Sequence, residues 1–384
     1  MFSMSKLAHP DGRRRPNLMK KKSRFETRRR LVIIITTLLV VVAGALLALY
    51  LLGGQKADPD QISKPTEKVE PVRYYSPLTG RETTQKKTAA PALAVMIENS
   101  PEARPQSGLT DAGVVFEAIA EGGITRFIAL YQEAEPELIG PVRSARPYYL
   151  EWAAAFDPAV AHVGGSDDAL IMLRSGSYGV DLDQYFNDSA YWRTKDRSAP
   201  HNVYTDYAHL NKLADAKGKT SSKFTGWERQ EGKPYECPKC ADDMKCAVCE
   251  APVKYIDLAI SSGFAVHYDY DETSNTYHRS IGGKKHLSRT LDKTDVQIAP
   301  DVVIAIRVSQ TVVDSSGHNK TATTGSGEAF VFQDGQVIKG TWSKTGASSQ
   351  IQFLDKEGSG IKLNRGQVWI TAVPSGRAIT WQET

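Results

Sequence analysis

Residues 31–52, LVIIITTLLVVVAGALLALYLL, run for twenty-two residues with no charge, no proline and a single glycine. At 1.5 Å per residue such a run makes a helix about 33 Å long, enough to cross the hydrocarbon core of a bilayer. Thr36 and Thr37 are tolerated, because a helical hydroxyl bonds back to its own backbone. A core helix of a soluble domain carries some polar face, and this run has none. The thirty residues before it hold eleven Lys and Arg against Asp11 and Glu26, a charge of +9. By the positive-inside rule that arm stays in the cytoplasm and the rest lies outside. A cleaved signal peptide has a shorter apolar region, ~7–15 residues, followed by a small-residue cleavage site, and none is evident after Leu52. No cysteine follows the span, which excludes a bacterial lipid anchor at this point.

The whole chain is +4, so everything beyond the arm is −5. That acidity argues against a nucleic-acid-binding module. The basic arm is explained by topology and by anionic lipid of the inner leaflet. The expected organisation is α+β. A cytoplasmic arm (1–30), a transmembrane helix (31–52) in the lipid bilayer and an extracytoplasmic stalk (53–73) precede a mixed α/β domain (74–235). A four-cysteine insert (236–252) and a mostly β domain (253–384) complete the chain.

In the α/β domain, Leu93–Ile97 reads as a buried strand, and Val114–Ile119 with Ile124–Tyr131 as a hairpin whose glycines supply positive φ. Arg146 to Phe156 reads as a helix with Pro147 in its first turn. Pro158–Val163 reads as a strand. Ser166 and Thr205 precede two further helical patterns. Residues 175–202, rich in Gly, Asp and Asn, read as a long irregular loop, and Arg81 to Ala90 as another loop. From Val253 onward, short strand-like runs alternate with turn residues.

All four cysteines lie in CPKCADDMKCAVC, as Cys237, Cys240, Cys246 and Cys249. Each C-x-x-C pair can direct two thiolates at one metal, and two pairs make a closed tetrahedral site. The five residues between the pairs are fewer than the ~15–20 of an ordinary zinc ribbon, so the expectation is a structural zinc knuckle. Disulfides are the alternative, because the cluster lies outside the membrane.

The α/β domain also carries a dense polar constellation. Asn99, Glu121, Arg143 and His162 fall at predicted strand ends, the edge where open α/β sheets bind ligands. Arg143 and Arg146 are three apart at a helix start, and arginine beside free backbone N–H groups makes an anion site. Gly164, Gly165 and Ser166 precede a second helix and offer a backbone cradle, although Asp167 and Asp168 in its first turn oppose a phosphate there. The bland alternative is that these charges pair to hold loops, Glu121 with Arg126 or Glu117 with Arg143.

Several of these pieces form a tandem of motifs: Ala103 to Leu109, Glu121 to Phe127, Ile139 to Arg146, His162 to Ser166 and Ser198 to Asn202. Gly282 to His286, Gly327 to Ala329, Gly340 to Trp342 and Gly366 to Ile370 continue it. Across roughly residues 74–384 this tandem resembles the YerB-like lipoprotein family of bacteria. The resemblance implies an envelope-anchored, two-domain α+β protein without an established activity. Here the anchor is a transmembrane helix rather than a lipidated cysteine, and the cysteine cluster is an addition between the domains.

The leading expectation is an extracytoplasmic binding protein. Arg104, Arg126, Arg143 and Arg146 would hold an anionic cell-wall polymer or lipid-linked ligand. Asn99, Ser144 and Ser166 would donate hydrogen bonds, and Glu121 would orient the arginines. One alternative is an envelope hydrolase or transferase, with His162 as general base and Glu121 or Asp167 as its partner. The other is a non-catalytic scaffold for an envelope protein partner.

Overall fold

The computed structural model describes residues 24–53, 72–236, 252–315 and 317–383. They divide into two compact units after Pro71. The arm before residue 24, residues 54–71 of the stalk and the four cysteines lie outside the described residues.

The first unit contributes one helix, α1 (Arg24–Gly53). It begins seven residues before the apolar run, inside the basic arm, where Arg and Glu are good helix formers. Val32–Gly53 is long and apolar enough to cross a membrane. Thr36 Oγ1 donates to the Val32 carbonyl at 2.8 Å and Thr37 Oγ1 to that of Ile33 at 2.7 Å.

The second unit is α+β, a mixed α/β part followed by a mostly β part. Its main strands are β1 (Ala92–Glu98), β2 (Val114–Glu121), β3 (Ile124–Tyr131), β4 (Pro158–His162) and β5 (Val180–Asp183), followed by β6 (Val253–Ser261), β7 (Phe264–Asp271), β8 (Thr276–Ile281) and β9 (Lys284–Lys285). Then come β10 (Val302–Val308), β11 (Gly325–Gln333), β12 (Gln336–Lys344), β13 (Gln352–Leu354), β14 (Val368–Pro374) and β15 (Ile379–Glu383). Its main helices are α2 (Pro147–Ala153), α3 (Asp167–Arg174) and α4 (Tyr207–Ala216).

Ten strands form one mixed sheet in the order β13-β12-β11-β10-β14-β2-β3-β1-β4-β5. The order β9-β8-β7-β6-β15 forms a second sheet. Strands from both halves of the sequence therefore share the large sheet. They meet where β14 pairs parallel with β2, Val368 opposite Val114 and Trp369 opposite Val115.

Both faces of the large sheet are covered, which is why β1 is buried at every position and reads as a continuous apolar run. On one face Met96, Val114, Phe116 and Ile128 pack against Tyr149 and Trp152 of α2. The Phe116 and Trp152 rings stack at 5.5 Å. On the other, Val115, Phe127 and Trp369 pack against Ile256, Leu258 and Tyr268 of the second sheet. The β2–β3 hairpin forms as its sequence predicts, with Gly122 and Gly123 at φ 57° and 78° supplying the turn.

Three local expectations change. The stretch 175–202 is not all loop, because β5 within it pairs parallel with β4 at the edge of the large sheet. Arg81 to Ala90 contains a short strand, Glu82–Thr83, and a one-turn helix, Gln85–Thr88. The cap of α4 is Asp206, which accepts from the His209 amide, rather than Thr205. Thr205 instead donates to the Ala190 carbonyl at 2.8 Å.

Candidate functional site

Successive residues of a strand face opposite sides of its sheet. Glu98 on β1 and Arg126 on β3 are cross-strand partners. Ala118, which also pairs with Arg126, packs in the core on the α2 side, so this pair lies on that side. There Arg126 binds one oxygen of Glu121 at 2.7 Å, and Arg146, leading into α2, binds the other. Both arginines also donate to main chain, Arg126 to the Ser144 carbonyl and Arg146 to that of Ala145, each at 2.8 Å. Glu121 thus bridges Arg126 and Arg146, an arrangement that suits both an orienting role and charges that pair to hold loops. Burial pushes its carboxyl up, but Arg126 and Arg146 outweigh that and hold it below the usual range.

Arg143 is arranged differently. Its Nε lies 3.3 Å from Glu98 Oε2, not beside Glu117. Glu98 Oε1 is shared between the Ser100 hydroxyl and His201 Nδ1, each at 3.0 Å. Neither terminal guanidinium nitrogen of Arg143 has a hydrogen-bond partner among the described residues, and its side chain is 22% exposed. Burial lowers its pKa, Glu98 opposes that, and Arg126 and Arg146 add to the lowering. Three arginines face two carboxylates here, leaving the cluster with a surplus positive charge.

Asn99 and Arg104 do not join this cluster. Asn99 follows Glu98, and its side chain enters a network on the opposite face. Its Nδ2 donates to Thr125 at 2.6 Å, and the Thr125 hydroxyl donates to Glu117 at 2.9 Å. Glu117 pairs with Arg279 of β8 at 2.8 Å, both fully buried. Arg279 Nε donates to His286 Nδ1 at 2.9 Å, and His286 Nε2 donates to Gln106 Oε1 at 2.9 Å. Gln106 Nε2 closes the ring by donating to Asn99 Oδ1 at 3.0 Å. Arg104 braces it through Asn99, its Nε on Oδ1 at 3.1 Å and its Nη2 on the carbonyl at 2.7 Å. An imidazole that accepts at Nδ1 and donates at Nε2 is neutral. Burial, then Arg279 and Arg104, keep the His286 pKa well below the ordinary value.

His162 is fully buried, with Nδ1 on the Gly164 carbonyl at 2.8 Å and Nε2 on Asp181 Oδ1 at 3.0 Å. Its carboxylate partner is Asp181 of β5, neither Glu121 nor Asp167. With both ring nitrogens engaged and no exposed edge, it is in no position to act as a general base. The cradle at Gly164, Gly165 and Ser166 is also occupied by protein. The Gly164 amide donates to Asp183 at 3.0 Å and that of Ser166 to the Ala145 carbonyl at 3.3 Å. A Cβ on Gly165 would lie 3.2 Å from that same carbonyl, so the glycine permits close loop packing. Ser166 stands at the N-cap of α3 without a side-chain cap bond, its hydroxyl buried and unpartnered.

A cavity of about 1060 Å³ lies elsewhere, between Gln85–Thr88 and α4, and none of these arginines lines it. Sequence reasoning missed Glu98, Arg279 and His286 as partners. Glu98 adjoins Asn99 within the polar constellation and His286 ends the Gly282 to His286 motif, whereas Arg279 belongs to no motif.

The chain matches two consecutive family models. Residues 78–221 match "Protein of unknown function (DUF3048) N-terminal domain" and residues 256–370 its C-terminal domain. It is 34% identical over 307 residues to "Putative lipoprotein YerB" of Bacillus subtilis (strain 168), covering 79% of this chain and 87% of that protein. A crystal structure of the YerB protein from Bacillus subtilis superposes with a TM-score of 0.68 at 30% identity, covering 80% of this chain and 99% of that one. The family resemblance and the fold read from the motifs are therefore those of real relatives, and the family model's own description supplies no activity.

Proposed function

We propose that this chain, which belongs to the DUF3048 family, is a single-pass envelope protein whose extracytoplasmic part binds an anionic ligand at Arg143. The observation that carries the reading is the pair of free terminal nitrogens on Arg143, in a part-exposed position beside Arg126 and Arg146. Guanidinium forks of this kind bind carboxylates and phosphates in bidentate fashion. Arg126 and Arg146, tied to Glu121 and to carbonyls, supply fixed positive field rather than direct contacts. Ligands of suitable charge outside a bacterial membrane are peptidoglycan carboxylates, phosphate-bearing wall polymers and lipid-linked pyrophosphates. The catalytic alternative finds no support in the geometry of His162.

The test is a thermal-shift panel of those three ligand classes on the full chain in detergent. A ligand at about 100 times its Kd adds about 2.7 kcal/mol of stability. We expect one class to shift the transition and Arg143→Ala to abolish the shift. A panel without any shift, or a shift that Arg143→Ala leaves intact, removes the reading and favours the scaffold. The reading also includes a structural zinc on Cys237, Cys240, Cys246 and Cys249, whose four thiolates suit a closed tetrahedral site. Metal analysis with thiol counting separates it from two disulfides.

A further inference from the structure

A second recess, about 270 Å³, opens on the opposite side of the large sheet from Arg143. One wall is formed by Pro101, Arg104 and Pro105 and the other by β9, so both halves of the sequence build it. Its lining includes Arg104, Lys284 and Lys285 and no carboxylate. Among the described residues none of these three cations makes an ion pair. Arg104 is rigidly held, with Nε and Nη2 on Asn99 and its guanidinium 5.2 Å from the centre of the Phe264 ring. That leaves Nη1 without a hydrogen-bond partner. The wall itself is fixed by Arg197, whose Nη2 donates to the Pro105 carbonyl at 2.6 Å.

We propose that this recess is a second anion site, independent of Arg143, that takes a phosphate-bearing group. Three unpaired cations around one small space suit a multiply charged oxyanion, whereas a carboxylate would neutralise only one of them. The fixed guanidinium supplies directed donors at no ordering cost, and the two lysines of the short strand supply mobile point charges. The same chemistry is offered by a soluble polyol phosphate and by a phospholipid head group.

The experiment titrates inorganic phosphate and glycerol phosphate into the full chain in neutral detergent and follows binding calorimetrically. Lys284 and Lys285 are exposed, so K284Q/K285Q should fold normally. We expect saturable binding that weakens about tenfold or more in K284Q/K285Q, the loss appropriate to removing charge-assisted contacts. K254Q/K320Q, an equal loss of charge at other exposed positions, should leave it unchanged, and any phosphate binding that Arg143→Ala removes should be separate from the component that K284Q/K285Q weakens. Absence of saturable binding, or equal weakening in both lysine pairs, overturns the proposal. So does binding lost only in Arg143→Ala, which would assign the phosphate to the other face. A dihexanoyl phosphatidylglycerol arm separates the sources: tighter binding than glycerol phosphate identifies a lipid head group, and equal binding a soluble ligand.

Discussion

His286 shows how much one buried side chain can decide. It accepts from Arg279 and donates to Gln106, so a proton added to the folded state would break one bond and place two cations in contact. The unfolded chain takes that proton near pH 6.5 and the folded chain only far below. The unfolded state therefore binds more protons in acid. The stability from His286 is complete above pH 6.5 and is lost as pH falls below it, by about 1.4 kcal/mol per pH unit. His267 acts in the opposite sense. Burial lowers its pKa, but hydrogen bonds and charge from Asp257 and Asp269 raise it overall, so its contribution is lost as pH rises. Half-exposed, it is screened and smaller. Glu121 and Asp181, both held low, act in a separate window below about pH 4. His286→Gln keeps a donor and an acceptor without titrating. Urea midpoints between pH 5 and 6.5 should flatten in that variant, and an unchanged slope would exclude His286 as the source.

At the scale of elements, several motif glycines mark places where one strand's backbone crosses another closely. A Cβ on Gly340 of β12 would sit 2.0 Å from the Leu354 carbonyl of β13. Gly340→Ala must push β13 away, and we expect a loss of about 1–3 kcal/mol in equilibrium unfolding with the fold retained. Gly327 leaves room for the Trp342 indole, which donates to the Arg307 carbonyl at 2.8 Å. Most strands were legible in the sequence because apolar runs and Gly-bearing turns mark them without knowledge of neighbours. β5 was not, because an edge strand of four residues with two aspartates carries little apolar signal. The site was legible only as a list. Residues gathered at strand ends, but adjacent positions such as Glu98 and Asn99 point to opposite faces. The sequence therefore grouped Arg104 with Arg126, Arg143 and Arg146, although the sheet separates them. It also offered Arg143 to Glu117, whose real partner is 162 residues away at Arg279.

At the scale of the molecule, the two family domains are bound into one sheet and stitched by the Glu117–Arg279 pair between them. Glu117→Gln leaves Arg279 buried without its counter-charge. We expect a loss of about 3–5 kcal/mol, read as a lowered urea midpoint in a single transition. Two transitions moving apart would instead mean that the halves are energetically separate. The seam between β2 and β14 has a consequence for biosynthesis. Trp369 docks beside residues made 252 positions earlier, as its bond to Glu117 records. At about 5–20 residues per second, ribosomes need about 12–50 s to deliver that length of chain. Throughout that interval β2 waits with an unpaired apolar edge, the condition in which strands recruit wrong partners. A nascent chain of this kind is most exposed to misassembly just before its last strands emerge, and it calls for chaperone cover until they do.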